Sequence, residues 1–179
     1  MEGILGSDDD DPATGPTSPT NRFERFDGNV SYLRPVTLLG KNFSFSSTVQ
    51  GQYSEDFLPG TEQMSIGGRF NVRGFDDVSI SGDRGAYIRN ELSFILPQSG
   101  APIIDRTFGT VSPYVGFDAG TILSRGDAQP GGSLTGAVLG VRNFGGLIGL
   151  DTALGVPLGG REDLTEDSVV FYFQSNIPF

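Results

Sequence analysis

Gly67-Gly68-Arg69-Phe70-Asn71-Val72-Arg73-Gly74-Phe75 is followed, after a short polar run, by Gly82-Asp83-Arg84-Gly85-Ala86-Tyr87-Ile88-Arg89-Asn90-Glu91. Segments on both sides of it alternate polar and apolar residues. This stretch combines glycine, guanidinium and carboxylate in a way that an ordinary hairpin turn does not require. It reads as a long loop, about residues 55–86, with a task of its own.

Outward from the loop the chain has the period of two that puts one oily and one wet face on a strand. Phe26, Gly28, Val30 and Tyr32 alternate with Arg25, Asp27, Asn29 and Ser31, and Pro35 is expected to end that strand. Phe43, Phe45, Val49, Gly51 and Tyr53 oppose Asn42, Ser44, Ser46, Thr48, Gln50 and Gln52. Beyond the loop, Ile88, Leu92, Phe94 and Leu96 share one face, and Tyr87, Arg89, Glu91 and Ser93 the other. Residues 97–106 read as a turn. Val111, Pro113, Val115, Phe117 and Ala119 then oppose Thr110, Ser112, Tyr114, Gly116 and Asp118, so Asp118 falls on the polar side. Three more segments follow, at 134–141, 147–156 and 168–179.

Alternation of this kind suits a soluble β-sandwich as well as a membrane barrel. Three features favour the barrel. The segments approach the roughly 9 to 11 residues of a tilted transmembrane strand rather than the usual 5 or 6. The wet face is rich in Gly, Ser, Thr and Gln rather than in the Lys and Glu of a surface in bulk water. Aromatics gather near strand ends, at Phe26, Tyr53, Phe94, Phe108 and Phe171, as in a membrane girdle. Tight turns follow Pro35, Pro97 and Phe144, whereas the motif loop, residues 125–132 and residues 158–167 make longer connections, which places the motif loop on the outer side.

Composition excludes most other classes. The 179 residues include 27 Gly and 11 Pro, and no apolar run approaches the roughly 18 residues of a membrane helix. Cys and His are both absent, which removes disulfides, thiolate and imidazole chemistry, and Cys/His metal sites. No enzyme activity, cofactor or metal is expected. A formal net charge of −10 disfavours nucleic acid as a partner.

The motif resembles the Val-Arg-Gly-Phe/Tyr loop of the outer-membrane assembly and secretion superfamily. The Gly82-Asp83-Arg84-Gly85 run, with Arg89-Asn90-Glu91 heading the next strand, resembles its two-partner-secretion branch (TpsB, FhaC/ShlB/HecB type). The other branch is the BamA-like insertases. The likeness continues through Gly116-Phe117-Asp118-Ala119-Gly120 and Leu134-Thr135-Gly136-Ala137-Val138-Leu139-Gly140 to Phe179. It implies the C-terminal part of a transmembrane antiparallel β-barrel, about seven strands of a sixteen-stranded family barrel preceded by POTRA domains. The implied function is secretion of a large partner exoprotein, a haemolysin or adhesin, across the bacterial outer membrane. A BamA-like insertase and a soluble β-rich binding module are the alternatives.

By the same resemblance the motif loop (Gly67, Gly68, Val72, Arg73, Gly74, Phe75, Gly82, Asp83, Arg84, Gly85) folds back into the barrel. Arg73 then reaches the acidic residue of the inner wall, which Asp118 matches, beside Gly120. Physics supports the pairing, because a guanidinium in a narrow lumen needs a carboxylate, preferably a bidentate one. Arg89 and Glu91, two apart on one strand, share the inner face and either join the ion pair or line the channel. Phe171, Phe173, Ile177 and Phe179 form one face of the last strand, interrupted by Ser175, and are expected to act as an assembly signal for the outer-membrane insertion machinery.

Residues 1–20, with Asp8 to Asp11, read as a disordered tail or half of a surface loop, and residues 21–179 as the barrel portion. The four aspartates lack the spacing of a calcium loop. The run from Met1 to Gly6 has neither the charged nor the apolar region of a signal peptide. The expectation is therefore of a piece lacking its N-terminal strands and POTRA domains, unable to form a pore alone because seven strands leave two edges bare in lipid. Arg125-Gly126-Asp127 is a chance match to an adhesion tripeptide, and Glu162, Asp163, Glu166 and Asp167 form a loop charge run without a base or metal partner.

Overall fold

The computed structural model describes residues 22–76, 78–160 and 169–177. Seven long strands make one antiparallel sheet in chain order: β1 (Phe26–Leu38), β2 (Lys41–Tyr53), β5 (Gly85–Phe94), β6 (Gly109–Ile122), β7 (Gly132–Gly145), β8 (Gly149–Gly159) and β9 (Val170–Asn176). Within the connection from β2 to β5 lie two short strands, β3 (Met64–Ile66) and β4 (Ile80–Gly82), paired with each other. A seven-residue helix, α1 (Pro102–Phe108), joins β5 to β6. Among the described residues the sheet is open, with β1 and β9 as its edges.

The two faces of this sheet are the reverse of what water requires. Phe117 is 48% exposed and its neighbour Asp118 0%; Leu139 is 59% exposed and its neighbour Val138 4%. Val115, Leu154, Phe171 and Phe173 continue the bare apolar face, and Tyr114, Ala153 and Tyr172 the covered one. A sheet with oil outside and charge inside has the pattern of a transmembrane barrel wall. Aromatics mark both ends of it. Phe26 faces Tyr53 across β1 and β2 at one end. At the other, Phe43 lies 5.3 Å from Phe94, whose ring also carries the Lys41 ammonium at 5.7 Å.

Some elements differ from expectation, each for a physical reason. β1 runs through Pro35, which pairs with Ser44, and ends only at Leu38. A proline removes only the one ladder bond its own N–H would make, and among the described residues β1 has a partner on one side alone. Residues 97–106 are not simply a turn, since Pro102 opens α1; proline fits the first helical turn, where its missing N–H has no partner to lose. β7 and β8 extend past residues 141 and 156, to Gly145 and Gly159.

The inner face is also less wholly polar than the alternation implies. Ile122 and Leu134 are buried there in one cluster with Met64, Ile66, Val72, Phe75 and Ile80, five residues of the connection between β2 and β5. The long connection therefore lies on the inner face and supplies most of its own apolar core. Its short hairpin could not be read from periodicity, because three-residue strands hold too few alternations.

Candidate functional site

The tip of the motif loop is shaped by its own side chains. Asn71 Oδ1 accepts the Gly67 N–H at 2.8 Å, and Asn71 Nδ2 donates to the Ser65 carbonyl at 2.9 Å. The Gly68 N–H closes the turn on the Val72 carbonyl at 3.0 Å. Gly67, Gly68 and Gly74 all have positive φ, and at Gly74 a Cβ would lie 2.6 Å from the Val156 backbone on the wall. The tip is thus bent and pressed flat against β8.

Arg73 is carried to the wall by this bend. Its Nε donates to Asp118 Oδ2 at 2.6 Å and its Nη2 to Asp118 Oδ1 at 2.8 Å, and its backbone N–H also reaches Oδ2, at 3.2 Å. Both side chains are buried. This is the bidentate geometry in which guanidinium and carboxylate bind most strongly. Burial pulls the Arg73 pKa down, but the hydrogen bonds and charge of Asp118, with the charge of Glu91, outweigh it and leave the group above its ordinary value. Arg73 remains a cation.

Arg73 Nη1 binds Glu91, so Glu91 belongs to the network rather than merely lining the wall. Glu91 also accepts from Arg142 Nη2 at 2.6 Å and from Arg89 Nη2 at 3.3 Å. Arg89 in turn donates to the Phe70 carbonyl at 2.9 Å, which ties the loop tip to β5. Arg142 stacks 3.9 Å over Tyr114, whose hydroxyl donates to Asp151 Oδ1 at 2.9 Å. On the far side, Gly74 N–H donates to the Tyr172 hydroxyl at 3.0 Å, which donates onward to the Phe75 carbonyl at 3.2 Å. A polar hollow of about 300 Å³ beside this network is lined by Arg69, Arg89, Glu91, Arg142, Asp151 and Gln174.

Small residues make room for the loop. A Cβ at Gly120 would lie 2.9 Å from Val72 Cγ2, and one at Gly116 2.6 Å from Arg73 Nη2. Gly82, Asp83, Arg84 and Gly85 stand apart from the tip, at the base of the loop, where Arg84 Nε donates to the Ser54 carbonyl at 2.8 Å. Phe171, Phe173 and Ile177 are exposed, and Phe179 lies outside the described residues, as do residues 1–20 and the acidic run at Glu162, Asp163, Glu166 and Asp167. Arg142 and Arg125 were not expected as partners. Strand parity carried a signal for Arg142, which continues the inward set of Leu134 and Val138 once β7 is extended. Arg125, in a loop, had none.

Ion pairs and ring contacts of this kind hold the loop tip against the wall. Among the described residues, no group of three or more acidic, His or Cys side chains is arranged to hold a metal.

Comparison with known proteins shows what the chain is similar to. The haemolysin secretion/activation protein family ShlB/FhaC/HecB matches residues 3–143. The outer membrane transporter CdiB of Escherichia coli O6:K15:H31 (strain 536 / UPEC) is 34% identical over 162 residues, 90% of this chain and 26% of that protein. The hemolysin transporter protein HpmB of Proteus mirabilis is 35% identical over 106 residues, 59% of this chain and 18% of that one. The solved structure of CdiB from Escherichia coli superimposes with a TM-score of 0.82 at 30% identity, covering 98% of this chain and 31% of that one. The chain spans about a quarter of the length of the CdiB protein it matches.

Proposed function

The chain belongs to the haemolysin secretion/activation protein family ShlB/FhaC/HecB, and we propose that it is the C-terminal barrel portion of a transporter that secretes a large partner exoprotein across the bacterial outer membrane. The observation that carries the reading is the loop on the inner wall, with Arg73 bidentate on Asp118. A loop held there by a few charged contacts occupies the path that a barrel offers to an extended chain, and its withdrawal opens that path without nucleotide hydrolysis. The POTRA domains and remaining strands would be supplied by the rest of the transporter.

Two other readings are weaker. A soluble binding module would not leave Leu139, Phe117 and Phe171 bare on one face. An insertase is disfavoured because the relatives are named outer membrane and hemolysin transporters. The test is secretion: the full-length transporter, produced together with a candidate partner exoprotein of the haemolysin or adhesin type, should move that protein into the medium. Retention of the exoprotein in the periplasm, with the transporter assembled in the outer membrane, would refute the reading.

A further inference from the structure

The base of the motif loop holds a second ion pair, between a buried carboxylate and a half-buried guanidinium, separate from the Arg73 network. Asp83 is 0% exposed, and its carboxylate gathers three segments. Leu58 N–H donates to Oδ1 at 3.1 Å and Gln63 Nε2 to the same oxygen at 3.2 Å, both from the arm that leaves β2. Arg125 Nη1 donates to Oδ2 at 2.9 Å from the connection between β6 and β7. Asp83 itself sits on the arm that returns to β5.

Arg125 is committed to the same place. Its Nη1 also donates to the Asp56 carbonyl and its Nη2 to the Glu55 carbonyl, each at 2.7 Å, and its guanidinium stacks 3.9 Å over Phe57. The connection that carries it is closed on itself by backbone bonds, with Arg125 N–H on the Gln129 carbonyl at 2.8 Å and Gln129 N–H on the Gly126 carbonyl at 3.2 Å. One carboxylate and one guanidinium thus fix the two arms of the motif loop to each other and to the neighbouring outer connection. The apolar cluster of β3, β4 and the tip lies beyond that point, packed on Ile122 and Leu134 of the wall.

We propose that Asp83 and Arg125 are positioning residues: they form a clasp that sets where the loop leaves the sheet and so delivers Arg73 to Asp118. The loop then pivots at the clasp as one body, instead of being expelled arm by arm. The reason is energetic. Leaving the buried Asp83 without its cation is costly, and opening the clasp would also break the Leu58 and Gln63 bonds to that carboxylate and the Arg125 contacts with two carbonyls and the Phe57 ring, so the clasp persists while the tip moves. The proposal concerns where the loop is held and stands whatever chain passes through the barrel.

The test uses the full-length transporter with Val72→Cys as the sole cysteine, because Val72 is fully buried between loop and wall. A membrane-impermeant maleimide reads how often the tip leaves the wall, and heat-modifiable migration reads assembly. Arg125→Gln and Asp83→Asn should each raise the labelling rate about tenfold or more, and Arg125→Lys, which keeps the charge, should restore part of the protection. Unchanged labelling in the assembled variants overturns the proposal. Loss of assembly in both, with Arg125→Lys giving no rescue, overturns it as well by making the pair a folding element. Absence of secretion in the unmodified protein would leave this readout intact and count only against the transporter reading.

Discussion

Gly136 lies directly beneath Arg73: a Cβ built on Gly136 would fall well inside the contact radius of the Arg73 carbonyl oxygen. No side chain but glycine's lets β7 accept the loop at that depth. Backbone, unlike the end of a flexible side chain, cannot step aside cheaply. Gly136→Ala in the full-length transporter is therefore expected to lift the tip off the wall, at a cost of about 1 to 3 kcal/mol, typical of overpacking. The check is limited proteolysis of the motif loop in intact cells, which should become faster by roughly five- to a hundredfold at about 1.4 kcal/mol per decade. Gly28→Ala, whose added Cβ meets no atom within 4 Å, should leave proteolysis unchanged.

Arg73 and Asp118 should behave as one unit in a double-mutant cycle. Among the described residues, every donor to the Asp118 carboxylate belongs to Arg73. Removing either partner strands the other in a buried site, at about 3 to 5 kcal/mol. Arg73→Ala and Asp118→Ala should each impair secretion, with the double variant little worse than either. Glu91→Gln should do less harm to Asp118, whose two contacts with the Arg73 side chain remain. Strictly additive losses in the amount of secreted exoprotein would show that the two residues act apart.

How much of this was legible in the residues follows from how far each signal reaches along the chain. The seven-stranded sheet was, since alternation is local and is written into each strand. Asp118 was placed inward by parity alone, and Glu91 and Arg89 with it; the structure puts all three around the Arg73 guanidinium or its partner. Residues joined only by tertiary approach were not. Arg125 meets Asp83 across 42 positions of chain, and Tyr172 meets Gly74 across 98, separations that no window of sequence spans. The helix at Pro102 and the passage of β1 through Pro35 are not legible in the residues alone, because the consequence of a proline depends on which backbone partners it would have had.

The end of the chain gives a prediction about assembly rather than transport. Phe171, Phe173 and Ile177 stand exposed on one face at alternate positions, and Phe179 continues that parity. In strand addition the backbone supplies affinity and alternate side chains supply selectivity. We propose that the insertion machinery reads this strand. Pro178 has no N–H to donate to a ladder, which weakens the signal. Deleting Phe179 from the full-length protein should lower the assembled fraction in the outer membrane and raise periplasmic degradation. Equal assembled amounts would reduce the terminal aromatic to lipid-facing surface.

Neighbouring residues on β7 offer the sharpest test of which face meets lipid. Leu139 is exposed and Val138 buried, although they are adjacent and both aliphatic. In water the exposed position would accept a charge with a change within about 0.5 kcal/mol, as surface substitutions do. In a bilayer the same position is the costly one: an outward arginine near the midplane loses about 2 to 4 kcal/mol, falling towards zero at the interfaces. Leu139 lies opposite Val115 and Leu154, well inside β6 and β8, so the larger figure applies. Leu139→Arg should sharply lower the heat-modifiable, assembled form of the full-length transporter, whereas Leu139→Phe should assemble normally. If Leu139→Arg assembled as well as the parent protein, the bare apolar face would not be a lipid face, and the barrel reading would fail with it.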